Sequence, residues 1–451
     1  MQGRHFINTP RAVEKLTAAG CDALVGADAR NVLYLSGVRT FDTQWALPEP
    51  GTAVIVPVRD AADRSTLCIG AHYIPYLLQE PTWVPRVRCY DWFGYHTYVL
   101  SQPDPGTAHS PLRADVQAFI AEHHIDEIAN DIVEVTANAL TELGLDKARV
   151  AFDDLRLASY IKRRLPELTV IDGHDLLTDI QKVSTPDEIA LMQEGAAINQ
   201  RALEKVIDAA RPGMRWEELA HIYRMALAER GAVPTTDKGL MWGSHYKGEH
   251  IVDSFYLPRS DFALEAGRAY IFETYSIYKG YTCDGSRTIF FGDPPAGYRK
   301  IVDAVMHAYE AIETHLRPNQ DSGLVYQTAM EIIHGAGIPT PEKTATATHG
   351  VGLQPVGWYV PYPAFTKIPQ SYMLEGGQVM GMDVLYYGHA VHPFHFENQL
   401  LITADGPRSF FTKPQVLPKG LLVRDGERLS SYCPPVTLKQ EQGIDLGNLR
   451  L

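Results

Sequence analysis

Cysteine is scarce in this chain: five in 451 residues, at Cys21, Cys68, Cys89, Cys283 and Cys433. The count is odd, the spacings are wide and no pair is C-x-x-C. A disulfide framework and a thiolate zinc site are therefore not expected, and a reducing cytoplasm fits the pattern. Also lacking is any run approaching the ~18–20 uncharged apolar residues that span a membrane. The N-terminal stretch from Met1 to Leu16 has no apolar core of a secretory leader. The chain thus reads as cytoplasmic, with no membrane association. Basic residues are in deficit, 41 Lys and Arg against 54 Asp and Glu, for a formal net charge of −13. That balance argues against nucleic acid or an anionic membrane surface as the main partner. Acidity also follows, however, if carboxylates are gathered to hold cations.

What is present is ordinary globular composition, 45% hydrophobic and 21% charged, which excludes disorder, collagen and coiled coil. The length suggests two or three domains, each able to bury a core. Thr9-Pro10 opens a helix that Gly20 closes. Strand-like runs follow at Ala23–Val25, Val32–Leu35, Ala53–Val56 and Leu67–Ile69, then a helical stretch from about Ala71. Helical patterns return near Asp115–His123 and Leu155–Leu165, before a last strand at Leu168–Ile171. This predicts a mixed α/β domain over residues 1–180. Thr185-Pro186-Asp187-Glu188 is a capping box with proline in the first turn, and it opens a second domain over residues 181–451. Its first helix runs to Arg211-Pro212-Gly213 and a second runs from Trp216 to Gly231. Two more are expected at Tyr298–Leu316 and Gly323–Ala336. Strands at Tyr270–Tyr278, Tyr281–Phe291, Val379–Tyr387 and Phe394–Thr403 make this domain α+β. The pattern does not place the tail after about Gly406.

Two of these hairpins carry carboxylates. Glu273 and Asp284 are eleven residues apart around Tyr278-Lys279-Gly280, and a tight turn centred between Tyr278 and Lys279 sets them directly opposite. Asp383 and Glu397 are fourteen apart, centred on Ala390 in Gly388-His389-Ala390. Opposed like charges repel, and unpaired buried charge is too costly to persist. One such pair alone would more often be a solvated edge or a partner of Arg or Lys. Two pairs of the same layout, with His349 in Thr348-His349-Gly350-Val351-Gly352 between them, point to divalent cations. Four carboxylates and an imidazole suit two first-row ions; calcium would explain the oxygens and not the histidine.

At these residues the sequence resembles the superfamily of methionine aminopeptidase, aminopeptidase P, prolidase and creatinase. The resemblance covers most of the chain. Asn31-Val32-Leu33-Tyr34-Leu35-Ser36-Gly37 is similar to the creatinase-type N-terminal domain. Ser184–Ile189 is similar to the entry of the catalytic domain, and Arg211-Pro212-Gly213-Met214 to the end of its first helix. The resemblance implies a creatinase-like α/β domain followed by a pita-bread α+β domain. It also implies two divalent ions (Mn, Fe, Zn or Co), a homodimer, and metal ligands Glu273, Asp284, His349, Asp383 and Glu397. Asp284 and Glu397 fall on the bridging positions.

Three positions depart from the family pattern. Asp and Glu are exchanged at the terminal ligands Glu273 and Asp383, so charge is kept while reach changes. Where the peptidases usually carry a second histidine, seven residues after His349, stands Val356. A valine donates no hydrogen bond, and losing an oxyanion donor costs about 100–1,000-fold in rate. His395, two residues before Glu397 and on the same strand face, is one candidate catalytic group, with His245, His250 and Asp383. Tyr275, Trp242, Tyr246 and Trp358 are candidate substrate contacts within an aromatic region that includes Tyr256, Tyr359 and Tyr362.

The leading expectation is a dinuclear metallohydrolase similar to Xaa-Pro dipeptidases and aminopeptidases, acting on a dipeptide-like or other small substrate. The alternative is a non-peptidase relative: a C–N hydrolase like creatinase or ectoine hydrolase, or a metal-dependent lyase of a small sulfonium or ammonium acid. A binding or scaffold protein without chemistry is the third class.

Overall fold

The computed structural model describes residues 3–40, 49–92, 111–235, 240, 262–346, 348–353, 371–386, 392–411, 417 and 419–434, with side chains of 111–113 excepted. The first sheet has six strands: β1 (Ala23–Gly26), β2 (Thr52–Pro57), β3 (Thr66–Gly70), β4 (Arg86–Tyr90), β5 (Arg149–Phe152) and β6 (Thr169–Asp172). They lie in the order β4-β3-β2-β1-β5-β6. The β1–β2 and β2–β3 pairs are antiparallel and the rest parallel. Helices at Thr9–Ala18, Ile132–Glu142 and Leu155–Arg164 are among those that accompany this sheet. The expected mixed α/β unit is thus present.

One expected strand is a helix. Val32–Leu35 lies in the helix Ala29–Ser36, whose Asp28 side chain accepts from Arg30 N, and whose end is Gly37 at φ +73°. Residues Val32 to Ser36 are all buried. Five consecutive buried residues form a short run, mostly apolar, that residue type alone does not tell from a strand. The caps were the better signal.

The second sheet is built on two long hairpins. Its strands are β7 (Ala232–Pro234), β8 (Ala269–Tyr278), β9 (Tyr281–Phe291), β10 (Thr344–Ala345), β11 (His349–Gly350), β12 (Val379–Tyr386), β13 (Phe394–Thr403), β14 (Gly406–Ser409), β15 (Leu421–Asp425) and β16 (Arg428–Tyr432). The central order is β10-β12-β13-β9-β15-β16; β8 also pairs with β9, β7 with β8, β11 with β12 and β14 with β13. Beyond Gly406, which the sequence pattern does not place, Gly406–Ser409, Leu421–Asp425 and Arg428–Tyr432 are strands of this sheet. Within it β15 runs parallel to β9.

The helix Pro186–Ala209 begins at the capping box, with Thr185 and Glu188 satisfying each other's backbone donors. Its Gly195 lies so close to β9 that an added Cβ would stand 2.4 Å from Cys283 Sγ. Glycine is what allows this helix to rest on the strand that carries Asp284. Residues early in the chain also reach the second sheet. The Arg11 guanidinium pairs with Glu375 at 2.6 Å, and Phe6 packs on Tyr281 with ring centroids 5.3 Å apart. Among the described residues no helix is long and apolar enough to cross a membrane.

Candidate metal centre

The β8–β9 turn sets the first register. Lys279 and Gly280 both have positive φ, +49° and +95°, the backbone of a two-residue hairpin loop. Tyr278 therefore pairs with Tyr281, Glu273 with Ser286, and Tyr275 with Asp284. Glu273 and Asp284 are not directly opposite, as the sequence suggested; they are diagonal neighbours on one face. The turn centre lies one residue later than the midpoint between the acids. In the second hairpin Asp383 does face Glu397, although its turn, residues 387–391, lies outside the described residues.

A cross-sheet contact then joins the hairpins. Glu397 on β13 pairs with Ser286 on β9. Glu273, Ser286, Glu397 and Asp383 thus form one row across β8, β9, β13 and β12, with Asp284 two residues along β9 on the same face. Glu273 is 3% exposed, Asp284 0%, Asp383 5% and Glu397 0%.

His349 completes the group. It pairs with Gly381 on β12, and its Nε2 stands 3.6 Å from Asp284 Oδ2, 3.8 Å from Glu397 Oε1 and 3.9 Å from Asp383 Oδ2. A Cβ at position 381 would sit 2.9 Å from both Glu397 Oε1 and His349 Cε1, so a glycine there makes room for imidazole and carboxylate together. His349 Nδ1 faces the Gly350 carbonyl at 3.4 Å. A carbonyl only accepts, so in that contact Nδ1 carries the proton. Burial pulls the imidazole pKa down to about 4. The neutral ring then turns the Nε2 lone pair toward three carboxylates, an arrangement that asks for a cation.

The carboxylates tell the same story. Burial, then the charge of Asp383, pushes Glu273 up to about 8. Asp284 and Glu397 are driven well above the usual carboxylate range, first by burial, then Asp284 by the charges of Glu397 and Glu273 and Glu397 by those of Glu273 and Asp383. No hydrogen-bond donor among the described residues reaches either side-chain oxygen of Asp284 or of Glu397. Buried oxygens of this kind are costly unless a cation takes them. Two sets of ligand atoms lie within 4.8 Å of one another: Asp284, His349 and Glu397, and Glu273, His395 and Glu397. The residues present fit a divalent-metal centre.

Several supports were not recognised from sequence. Arg287, fully buried on the opposite face, donates to the carbonyls of Ser286 and Glu397 at 2.7 Å each and to Asn398 Oδ1 at 2.8 Å. Its guanidinium lies 4.4 Å from the centroid of Phe396. It clamps β9 to β13 where Ser286 and Glu397 pair. A lone arginine within the strand-like run Tyr281–Phe291 was the available signal. Tyr275, opposite Asp284, faces the metal side, and burial with the charge of Asp284 holds its hydroxyl protonated. His245, His250, Trp242, Tyr246, Tyr256, Val356, Trp358, Tyr359 and Tyr362 lie outside the described residues.

Residues 190–404 match the model of metallopeptidase family M24. The fold aligns with the X-Pro aminopeptidase of Thermotoga maritima at a TM-score of 0.64 and 17% identity, over 92% of this chain and 99% of that one. The Xaa-Pro dipeptidase of Bacillus anthracis aligns at 0.65 and 17% identity, over 92% and 100%. These likenesses show the pita-bread fold, with an N-terminal domain before it. In sequence it is 25% identical to the Xaa-Pro dipeptidase of Pyrococcus furiosus over 248 residues, 55% of this chain and 67% of that protein. The M24 match and the dipeptidase relatives support a metallohydrolase enzyme, and the M24 family implies divalent metal ions.

Proposed function

We propose that this pita-bread protein is a dinuclear metal-dependent hydrolase of the Xaa-Pro dipeptidase or aminopeptidase type, cleaving the amide or peptide bond of a small, dipeptide-like substrate. The reading is carried by the buried row Glu273–Ser286–Glu397–Asp383 with the His349 Nε2 aimed into it. Glu273, Asp284, His349, Asp383 and Glu397 would hold two ions. When bound, such ions supply Lewis-acid polarisation of the scissile carbonyl and activation of water. Asp383, at the end of the row, takes the proton from the attacking water and returns it to the leaving amine. Tyr275 presents a protonated hydroxyl on the same face, a donor for a substrate oxygen. Arg287 and Gly381 fix the carboxylates and make room for them.

The exchanged terminal ligands and the valine at 356 favour a second reading, a relative that cleaves a small non-peptide C–N bond or acts as a lyase. We assign residues 1–180 to the entry domain and 181–451 to the catalytic domain, and place the protein in the cytoplasm as a homodimer. Metal analysis of chelator-free protein tests the core of this reading. About two divalent ions per chain, lost in Asp284→Ala, are expected; no bound metal would overturn it. Xaa-Pro dipeptides assayed with Mn, Zn, Co or Fe then separate the alternatives. Cleavage of none, with turnover of a small amidine, lactam or sulfonium compound, selects the second.

A further inference from the structure

We propose that His395 is a protein ligand of the metal pair, so that each ion has its own imidazole and Glu397 lies between them. This rests on the dinuclear reading above and adds a residue to it. The ligand atoms of Glu273, His395 and Glu397 lie within 4.8 Å of one another, as do those of Asp284, His349 and Glu397. Each set contains one imidazole and two carboxylates, and Glu397 belongs to both. His395 and Glu397 are two residues apart on β13, so both rise from the same face. The ring stands within 2.6 Å of a Glu273 oxygen through Nδ1, and only 3% of its side chain is exposed.

The backbone of His395 is held for this role. The Thr288 hydroxyl accepts from His395 N at 3.0 Å and donates to His395 O at 2.9 Å. A side chain thus closes the ladder beside the Glu397–Ser286 pair, fixing the strand at both residues. Precise placement of a ligand depends on such support. The longer side chain at 273 also acquires a purpose. It extends the carboxylate by a methylene toward the end of the row where His395 stands, while the shorter Asp383 withdraws by one at the other end. The 2.6 Å contact is a hydrogen-bond distance, closer than two ligands of one first-row ion with bonds of about 2.0–2.2 Å normally stand. Metal entry therefore replaces the Glu273–His395 contact with two bonds to the ion. A nitrogen at both positions favours borderline ions over magnesium or calcium.

X-ray absorption of the full-length protein loaded with two equivalents of zinc reads the ligands directly. Wild type is expected to show two zinc-bound imidazoles per chain, an average of one per zinc, and His395→Ala one per chain, whether it retains two zinc ions or one. In His349→Ala an imidazole signal should persist. One zinc-bound imidazole per chain in wild type, or a count per chain unchanged in His395→Ala, would overturn the assignment and leave the dinuclear reading standing. Failure of wild type to bind zinc at all would instead strike the dinuclear reading. Should His395→Ala not fold, His395→Asn carries the comparison, because it keeps a polar side chain on β13.

Discussion

At the scale of single residues, the centre is a set of groups that are each unfavourable alone. Glu397 is fully buried, its oxygens reach no donor, and its neighbours carry the same charge. Folding without metal must keep part of this group protonated or tolerate the repulsion. Glu397→Gln is therefore expected to melt at least as high as wild type when both are metal-free, and to lose the rise that metal gives wild type. Differential scanning calorimetry with and without zinc checks both halves. Gly381→Ala makes the complementary test. Its Cβ would press on Glu397 Oε1 and the His349 ring at 2.9 Å, so metal affinity should fall roughly 10–100-fold, as for other losses of ligand support. Isothermal titration with zinc measures this, and an unchanged affinity would mean that the two ligands have slack.

At the scale of elements, the helix Pro186–Ala209 and the strand β9 form the platform. Gly195→Ala puts a carbon 2.4 Å from Cys283 Sγ and 3.1 Å from Tyr278 Cβ. Overpacking of this kind costs about 1–3 kcal/mol, and here it pushes on the residue next to Asp284. A denaturant midpoint equal to wild type would contradict the close contact. The capping box gives a pH signature. Glu188 is buried, accepts from Thr185 N and from the Tyr281 hydroxyl at 2.9 Å, and burial lifts its pKa to about 8. Unfolded, the group ionises near 4.5. Between these values the folded state holds a proton that the unfolded state has released, so the group costs stability increasingly as pH rises. Glu188→Gln should thus match wild type near pH 5 and gain on it progressively up to pH 8. Parallel thermal melts across that range decide the point; a constant difference would refute it.

At the scale of the molecule, ligand binding should appear as stability. An ion at a hundred times its dissociation constant adds about 2.7 kcal/mol, roughly 5–10 °C for a domain of this size. Holoprotein should lose that increment in excess chelator and regain it on adding metal, as followed by circular dichroism. The two sheets also share packing: Phe6, Leu33 and Ile69 of the first part and Tyr270, Tyr281 and Leu422 of the second belong to one buried cluster. The residues of the first sheet and its helices therefore do more than precede the second sheet. They pack against the β8–β9 turn, where a Cβ on Gly280 would meet Leu33 Cδ2 at 2.3 Å.

The local chemistry was written in the sequence: the capping box at Thr185–Glu188, the two acidic hairpins, the histidine beside glycines, and the apolar flanks that promised burial. Each is a short-range pattern of residue type and spacing. Register was less accessible, because a two-residue turn at Lys279-Gly280 and one centred a residue earlier differ only in backbone dihedrals. The helix at Ala29–Ser36 and the strands beyond Gly406 were also hidden, since a short apolar run fits helix or strand alike and parallel pairing to β9 depends on a distant partner. The sequence determined which groups could bind metal. Only the tertiary structure decided that Glu397 meets Ser286, that Gly381 leaves space for the imidazole, and that His395 stands beside Glu273. Those contacts join strands far apart in the chain, and no local preference specifies them.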